Sequence, residues 1–194
     1  MEIIYIKSSA SHDLASFVSQ SEVKIVNQYD KYSLKQVSGV IIGMSLDLYE
    51  LQKRKHEFEE FLQDGGRMFY SGHAAISFLS FLSVYEPINN IKLEDFFISK
   101  NSEHIIYKDL DIKYFQKSKG VAGFYSRGCN PPPKGAKIIT SIKQGSVPCD
   151  WEFSFGKGKF YAHSGNDLYA CSGDEAINKK VFNNILEFLG GKDE

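Results

Sequence analysis

One stretch, Val37–Ala75, most constrains what this chain can fold into. It reads VSGVIIGM, then a segment with helical periodicity, and then GGRMFYSGHAA. Val40, Ile41 and Ile42 form a short β-branched run, which is typical of a fully buried parallel strand. A second apolar run, Arg67–Tyr70, follows the helical segment, so the order of elements indicates a parallel β-α-β unit.

The helical segment carries signals for its start and its end. Asp47 can cap its N-terminus, and Glu50, three residues on, fits a capping box. Gly65-Gly66 is expected to end the helix, because glycine adopts the left-handed conformation at little cost. The apolar residues of the segment lie on one helical stripe: Leu48, Leu51, Phe58 and Leu62.

A sharp turn, Ser71-Gly72-His73, is expected after the second strand, with an apolar helix over Ala74–Leu82. Ligands of open α/β sheets bind outside the carboxyl ends of the strands, so Ser71 and His73 are candidate catalytic residues. Backbone N–H groups after the turn can form an oxyanion hole. The alternative is structural: Gly72 makes the turn, Ser71 caps the helix, and His73 is a partly buried polar residue.

The rest of the chain predicts further strands around this unit and one closing helix. We expect helix His12–Gln20, strands Glu2–Lys7, Val23–Val26, Phe96–Ile98, Ile105–Tyr107, Lys137–Ile142, Trp151–Phe155 and Lys159–His163, and a last helix capped by Asp174 or Ser172 and ended by Gly190-Gly191. This order predicts a single α/β domain over residues 1–194. Its sheet should be doubly wound and mostly parallel, with antiparallel extension strands between Ile91 and Phe155.

Composition excludes several classes of function. A net charge of -1 over 194 residues gives no electrostatic case for nucleic acid or for an anionic membrane. No apolar run approaches the ~18–20 residues that a membrane span needs. The chain begins in a strand without a leader pattern, so we expect a cytoplasmic protein. Cys129, Cys149 and Cys171 show neither disulfide nor zinc-site spacing, so we assign no metal ligands from spacing, and the cofactor is left unknown.

The turn resembles a known catalytic elbow. GGRMFYSGHAA is similar to the elbow of the class I glutamine amidotransferase-like superfamily, where the turn presents a cysteine, but Phe69–Ala75 contains none. The closer likeness is to the ThuA-like (trehalose-utilisation) branch, whose turn reads G-[IL]-H-[SA]-A. Ser71 here stands in place of the glycine, and the resemblance puts His73 at the nucleophile position. It also implies a flavodoxin-like α/β fold.

A second resemblance lies near the C-terminus. Phe160–Gly165 is similar to the strand end of amidotransferases that carries H-P-E, with His163 matching the histidine and Gly165 replacing the glutamate. Gly156–Tyr161 resembles the GKGRV[FY] hairpin of ThuA-like proteins, and Trp151 stands where they often carry tryptophan.

These residues suggest two catalytic arrangements. In the first, His73 and His163 face each other across the carboxyl edge of the sheet as general acid and base or as metal ligands, with Asp167 or Glu175 orienting one imidazole. In the second, Ser71 is a nucleophile, His163 its base and Asp167 the orienting carboxylate. The alternative to both is that two histidines and a carboxylate without fixed spacing form no site.

Six further residues are candidate ligand contacts: Ser9, Ser45, Gly72, Arg127, Trp151 and Asn166. Ser9 and Ser45 follow the first and third strands and can line the same edge, although ordinary turn chemistry also explains both and is slightly favoured. Arg127 lies in a loop that can fold over the site and bind an anionic group, or that simply covers the surface. Trp151 can stack on a sugar ring or belong to the core.

The resemblance implies a domain without glutaminase activity, because a neutral imidazole cannot replace a thiolate in forming a thioester. We expect it to act on or to bind a sugar or another small polar metabolite, as a hydrolase or transferase. The alternative is a catalytically inactive module of the same fold that binds a ligand or a protein.

Overall fold

The computed structural model describes residues 2–8, 14–118 and 120–193. The strands are β1 (Glu2–Lys7), β2 (Lys24–Asn27), β3 (Val37–Ile42), β4 (Arg67–Ser71), β5 (Glu86–Pro87), β6 (Ser99–Lys100), β7 (Lys117–Ser118), β8 (Val121–Ala122), β9 (Gly128–Cys129), β10 (Lys137–Ile142), β11 (Val147–Phe155) and β12 (Gly158–His163). The α-helices are α1 (Ser16–Ser19), α2 (Leu48–Lys53), α3 (Lys55–Gln63) and α4 (Glu175–Leu189). Short 3₁₀ helices span Leu93–Phe96, Ile105–Tyr107, Ile112–Phe115 and Leu168–Ala170.

Eight strands form one sheet in the order β2-β1-β3-β4-β12-β11-β10-β6. The first five run parallel to one another, and β11, β10 and β6 continue the sheet by antiparallel pairing. The prediction of a flavodoxin-like, mostly parallel α/β sheet with antiparallel extension strands is therefore confirmed. Two small ribbons, β5-β9 and β7-β8, lie outside this sheet.

Helices cover both faces of the sheet, as a doubly wound sheet requires. One face packs on α4, through the cluster that contains Ile41, Phe69 and Phe188. The other packs on α2 and α3, through the cluster that contains Val40 and Met68. Neighbouring residues of β3 thus enter opposite core layers, which is why its β-branched run has no polar member. Within the described residues, no helix is long and apolar enough to span a membrane.

The central β-α-β unit is present, with its helix divided at Arg54 into α2 and α3. Asp47 caps α2 by accepting a hydrogen bond from the N–H of Tyr49 at 2.9 Å. Glu50 makes an ion pair with Lys53, and the predicted capping box is therefore not closed by Glu50.

Three other helix ends also follow their sequence signals. Gly65, with φ of 108°, follows α3, and Gly191, with φ of 105°, follows α4. Asp174 accepts a hydrogen bond from the N–H of Ala176 at 2.8 Å, so the N-cap of α4 is Asp174 rather than Ser172.

Three predicted elements are wrong. Residues 72–82 contain bends and turns but no helix. Ile105–Tyr107 is a 3₁₀ turn capped by His104, whose Nδ1 accepts from the N–H of Ile106 at 3.2 Å. Phe96–Ile98 is the end of another 3₁₀ turn and the loop after it. Three-residue apolar runs bury equally well in turns and in strands, so periodicity does not separate them. Of the predicted helix at 12–20, the structure has Ser16–Ser19, and residues 12 and 13 lie outside the described residues.

Candidate functional site

The first two residues of the turn after β4, Ser71 and Gly72, are buried. Ser71 lies beside His163 in the parallel register of β4 and β12, and both side chains are fully buried. The Oγ of Ser71 accepts a hydrogen bond from the N–H of Leu168 at 3.3 Å. Gly72, with φ of 152°, donates its N–H to the carbonyl of His163 at 3.0 Å. In this conformation Ser71 holds the loop after β12 and does not face solvent.

The side chain of Asn130 forms hydrogen bonds with the backbone groups of this turn. Its Oδ1 accepts from the N–H of Ala74 at 3.1 Å, and its Nδ2 donates to the carbonyl of Gly72 at 3.0 Å. Its own N–H donates to Ser164 Oγ at 2.9 Å, and its carbonyl accepts from Trp151 Nε1 at 2.9 Å. The N–H of Ala74, one of the donors expected to form an oxyanion hole, is therefore already hydrogen-bonded. The same contacts fix Trp151, which is fully buried, in the core rather than against a ligand.

A buried carboxylate–imidazole pair lies on the neighbouring hairpin. Asp150 on β11 stands opposite His163 on β12, and His163 Nδ1 donates to Asp150 Oδ1 at 2.5 Å. Asp150 Oδ2 accepts from the hydroxyls of Tyr125 and Tyr161, each at 2.8 Å, and from Tyr107. Burial alone would raise the pKa of Asp150, but the charge and hydrogen bond of His163, with those of the hydroxyls, hold it below its usual value. Asp150, not Asp167, is the carboxylate that orients His163.

The Nε2 atom of His163 lies near the thiol of Cys171 and close to the backbone of Gly165. It is 4.0 Å from Cys171 Sγ. A Cβ on Gly165 would lie 2.7 Å from that nitrogen, so the backbone of Gly165 directly covers the imidazole. The Sγ of Cys171 donates to the carbonyl of Asp167 at 3.4 Å, and burial raises the pKa of the thiol well above its usual value. Cys171 is therefore a packed, uncharged thiol.

Asp167 lies at the carboxyl end of the sheet, between the loops that follow β3 and β12. Its Oδ1 accepts a hydrogen bond from the N–H of Met44 at 2.8 Å. Ser45, the next residue after Met44, is exposed and has a φ of 72°. Burial raises the pKa of Asp167 to about 6, against the opposing hydrogen bonds of Met44 and Tyr169. Tyr169 also shares a 2.6 Å hydrogen bond with Tyr5. A carboxyl pKa near this value suits general acid or base catalysis close to neutral pH.

His73 faces an open cleft of about 480 Å³. Its ring packs edge-on against Tyr85, with 4.4 Å between the ring centroids. Desolvation lowers the pKa of His73, and the nearby charge of His163 adds to that effect. Arg127 and Asn166 line the same cleft. Within the described part of the chain, no hydrogen bond joins His73 to His163, because one imidazole is exposed and the other is fully buried.

The structure therefore divides the predicted site residues into groups. One cleft is lined by His73, Arg127 and Asn166, and buried beneath it are Ser71, Gly72, Trp151 and His163. A third group, Asp167 and Ser45, lies at the end of β3. Ser9 lies outside the described residues. Sequence reasoning missed Asp150 and Asn130. Among the residues that the structure describes, no group of three His, Cys, Asp or Glu side chains could hold a metal ion.

No protein-family model matches this sequence, and no curated protein is significantly similar to it. Solved structures do share the fold. The cytoplasmic protein STM1381 from Salmonella typhimurium LT2 has a TM-score of 0.58 at 12% identity, covering 97% of this chain and 99% of that one. The cytoplasmic protein STM3548 from Salmonella typhimurium has a TM-score of 0.56 at 10% identity, covering 97% and 98%.

A β-galactosidase from Rahnella sp. R3 has a TM-score of 0.52 at 14% identity. The match covers 97% of this chain but only 31% of the β-galactosidase, so the chain spans about a third of that enzyme. At such identities these likenesses establish the fold and nothing finer.

Proposed function

We propose that this chain is a glutamine amidotransferase-like domain of the ThuA-like kind, without glutaminase activity, that binds a small polar metabolite, such as a sugar. The binding site is the cleft lined by His73. The motifs around His73 and His163 support the family, and the near full-length likeness to STM1381 and STM3548 supports the fold. Because those two proteins are described as cytoplasmic, we also propose the cytoplasm as the location.

The observation that carries this proposal is the separation of the open cleft from the buried catalytic candidates. His73 is exposed in the cleft, whereas Ser71 and His163 have no exposed surface. Asn130 already bonds the N–H of Ala74, which a tetrahedral oxyanion would need. An imidazole at the nucleophile position cannot form the thioester of glutamine hydrolysis. Binding therefore needs no rearrangement, while chemistry at Ser71 or His163 does.

A second candidate function is catalysis on the bound metabolite, by a hydrolase or transferase. One observation favours it, namely the pKa of Asp167, which burial raises to about 6. A carboxyl group with that pKa at the carboxyl edge of the sheet suits general acid catalysis.

The proposal is tested by adding hexoses, hexose phosphates and small carboxylic acids to the purified chain. A ligand at a hundred times its Kd stabilises the fold by about 2.7 kcal/mol, which raises the Tm by roughly 5–10 °C in a chain of this size. We expect one class to produce such a shift, and His73→Ala to abolish it. His56→Ala is the matched control, since it removes another exposed histidine, on α3.

Three results would decide between the alternatives. No shift with any compound, or equal loss of the shift in His56→Ala, would overturn binding in this cleft. Turnover of the stabilising compound, lost in Asp167→Asn, would establish the enzyme instead. Release of ammonia from glutamine would contradict the absence of glutaminase activity.

A further inference from the structure

The cleft contains one permanent charge, on Arg127. None of the described residues that line the cleft is an aspartate or a glutamate. The Nε of Arg127 donates to the carbonyl of Gly123 at 3.3 Å, and its guanidinium carbon lies 6.0 Å from the centroid of the Phe96 ring. Its terminal amino groups bond no other described residue. Those two amino groups present the planar fork that pairs with a carboxylate through two parallel hydrogen bonds.

The walls around this charge are mainly apolar. Tyr85, Pro87, Ile88, Ile91 and Phe124 contribute rings and aliphatic groups, and Phe124 keeps 41% of its surface exposed. A site of this kind buries an apolar body and fixes it with a small number of polar groups. The ligand should therefore have an apolar portion that fills the space beside the charge.

Two polar side chains of the cleft are already hydrogen-bonded within the protein, which disfavours a free hexose. The amide Nδ2 of Asn166 already donates to the carbonyl of Phe124 at 3.0 Å, and Ser126 hydroxyl donates to the carbonyl of Gly128 at 2.7 Å. Sugar hydroxyls that enter an apolar cleft without partners lose hydrogen bonds to water at a cost in affinity. Inorganic phosphate lacks the apolar body that the walls accommodate.

We propose that the cleft binds a carboxylic acid with an apolar body, its carboxylate paired with the guanidinium of Arg127. This proposal rests on the binding function proposed above and, among the metabolites tested there, favours a carboxylic acid over a free sugar. The acid lies with its carboxylate at the loop that carries Arg127 and its apolar body against Phe124 and Tyr85. His73 forms the wall at the Tyr85 end, where its ring already packs on that tyrosine.

Isothermal titration calorimetry on the purified chain tests this with four probes: phenylacetate, its neutral isostere phenylacetamide, hexanoate and glucose. We expect phenylacetate to bind at least about tenfold more tightly than phenylacetamide, since only the acid makes charge-assisted hydrogen bonds. Arg127→Met should weaken phenylacetate binding about tenfold or more and leave phenylacetamide unchanged. Lys134→Met is the control, because Lys134 is an exposed cation that does not line the cleft.

The outcomes separate the two proposals. If glucose binds in a way that His73→Ala abolishes, and neither acid binds, the proposed function is retained and the proposal of a carboxylic acid ligand is overturned. Equal affinity for phenylacetate and phenylacetamide, or equal effects of Arg127→Met and Lys134→Met, would also overturn it. No binding by any probe would count against both. Arg127→Lys keeps the charge without the fork, so an intermediate loss in that variant confirms the pairing even where Arg127→Met folds poorly.

Discussion

Replacing Asp150 by asparagine should cost this protein much of its stability. The change keeps the size of the side chain but removes the charge that pairs with the fully buried His163. It also turns one acceptor oxygen into an amide donor, whereas all four partners of Asp150 donate to it. Removing one partner of a buried pair typically costs about 3–5 kcal/mol, and a domain has only about 5–15 kcal/mol in total. We expect a loss in the free energy of unfolding of about 3–5 kcal/mol.

Urea unfolding followed by tryptophan fluorescence measures this loss directly. The chain has one tryptophan, Trp151, which is fully buried and adjacent to Asp150. Asp174→Asn is the matched control, because it makes the same chemical change at the N-cap of α4. Asparagine caps helices about as well as aspartate, so we expect the control to change stability by less than about 0.5 kcal/mol.

The pH dependence gives a second check on the role of Asp150. Its pKa in the folded state lies below its usual value of 3.8, so the pair contributes stability above that pH. The contribution disappears as the pH falls through the lowered pKa, and the difference between wild type and Asp150→Asn should therefore shrink on acidification. A loss below about 1 kcal/mol at pH 7, or a difference that stays constant into strong acid, would refute the reasoning.

Three further predictions concern other parts of the site. Asp167→Asn should stabilise the fold above pH 6 by on the order of 1–3 kcal/mol and have no effect below pH 4. Because the pKa of Asp167 is raised in the folded state, the wild-type protein loses stability as the pH rises through that pKa, whereas asparagine does not titrate. Urea midpoints at pH 4 and pH 8 measure this difference. Asn130→Ala should lower the free energy of unfolding by about 2–4 kcal/mol, against almost no loss for the exposed Asn183→Ala, and equal losses would contradict the contacts at the turn. The three buried cysteines should react with a disulfide reagent only after unfolding, since burial raises the pKa of each thiol; labelling of the native protein within seconds would show that the site opens.

The pairing of Asp150 with His163 depends on the length of the turn between β11 and β12. Gly156-Lys157 is a two-residue turn, and Phe155 stands opposite Gly158. In an antiparallel hairpin each step back along one strand matches one step forward along the other. Five such steps bring Asp150 opposite His163. The predicted strands, Trp151–Phe155 and Lys159–His163, leave a three-residue turn between them, and that spacing would place Trp151 rather than Asp150 opposite His163.

The contacts of Asn130 could not have been predicted in this way. Its side chain bonds Gly72 and Ala74, which are more than 50 positions away in the chain. No periodicity links a loop residue to a turn at that distance. A second long-range contact accounts for the absence of the predicted helix after the turn, because the carbonyl of Ala74, which a helix would use as its first acceptor, accepts instead from the N–H of Tyr85 at 2.9 Å. Local composition over Ala74–Leu82 favours a helix, but the tertiary contacts determine the fold there.

The close packing of Gly165 determines which of the candidate functions would require its loop to move. A Cβ there would lie 1.8 Å from the carbonyl oxygen of Tyr125, so only a glycine lets these two backbones approach. This close packing places the backbone between the open cleft and His163. Chemistry by His163 would require the loop at Gly165 to lift and the hydrogen bond from Asn166 to Phe124 to break. Binding against His73 and Arg127 requires neither change, and for that reason the closed structure favours a binding site over a catalytic one.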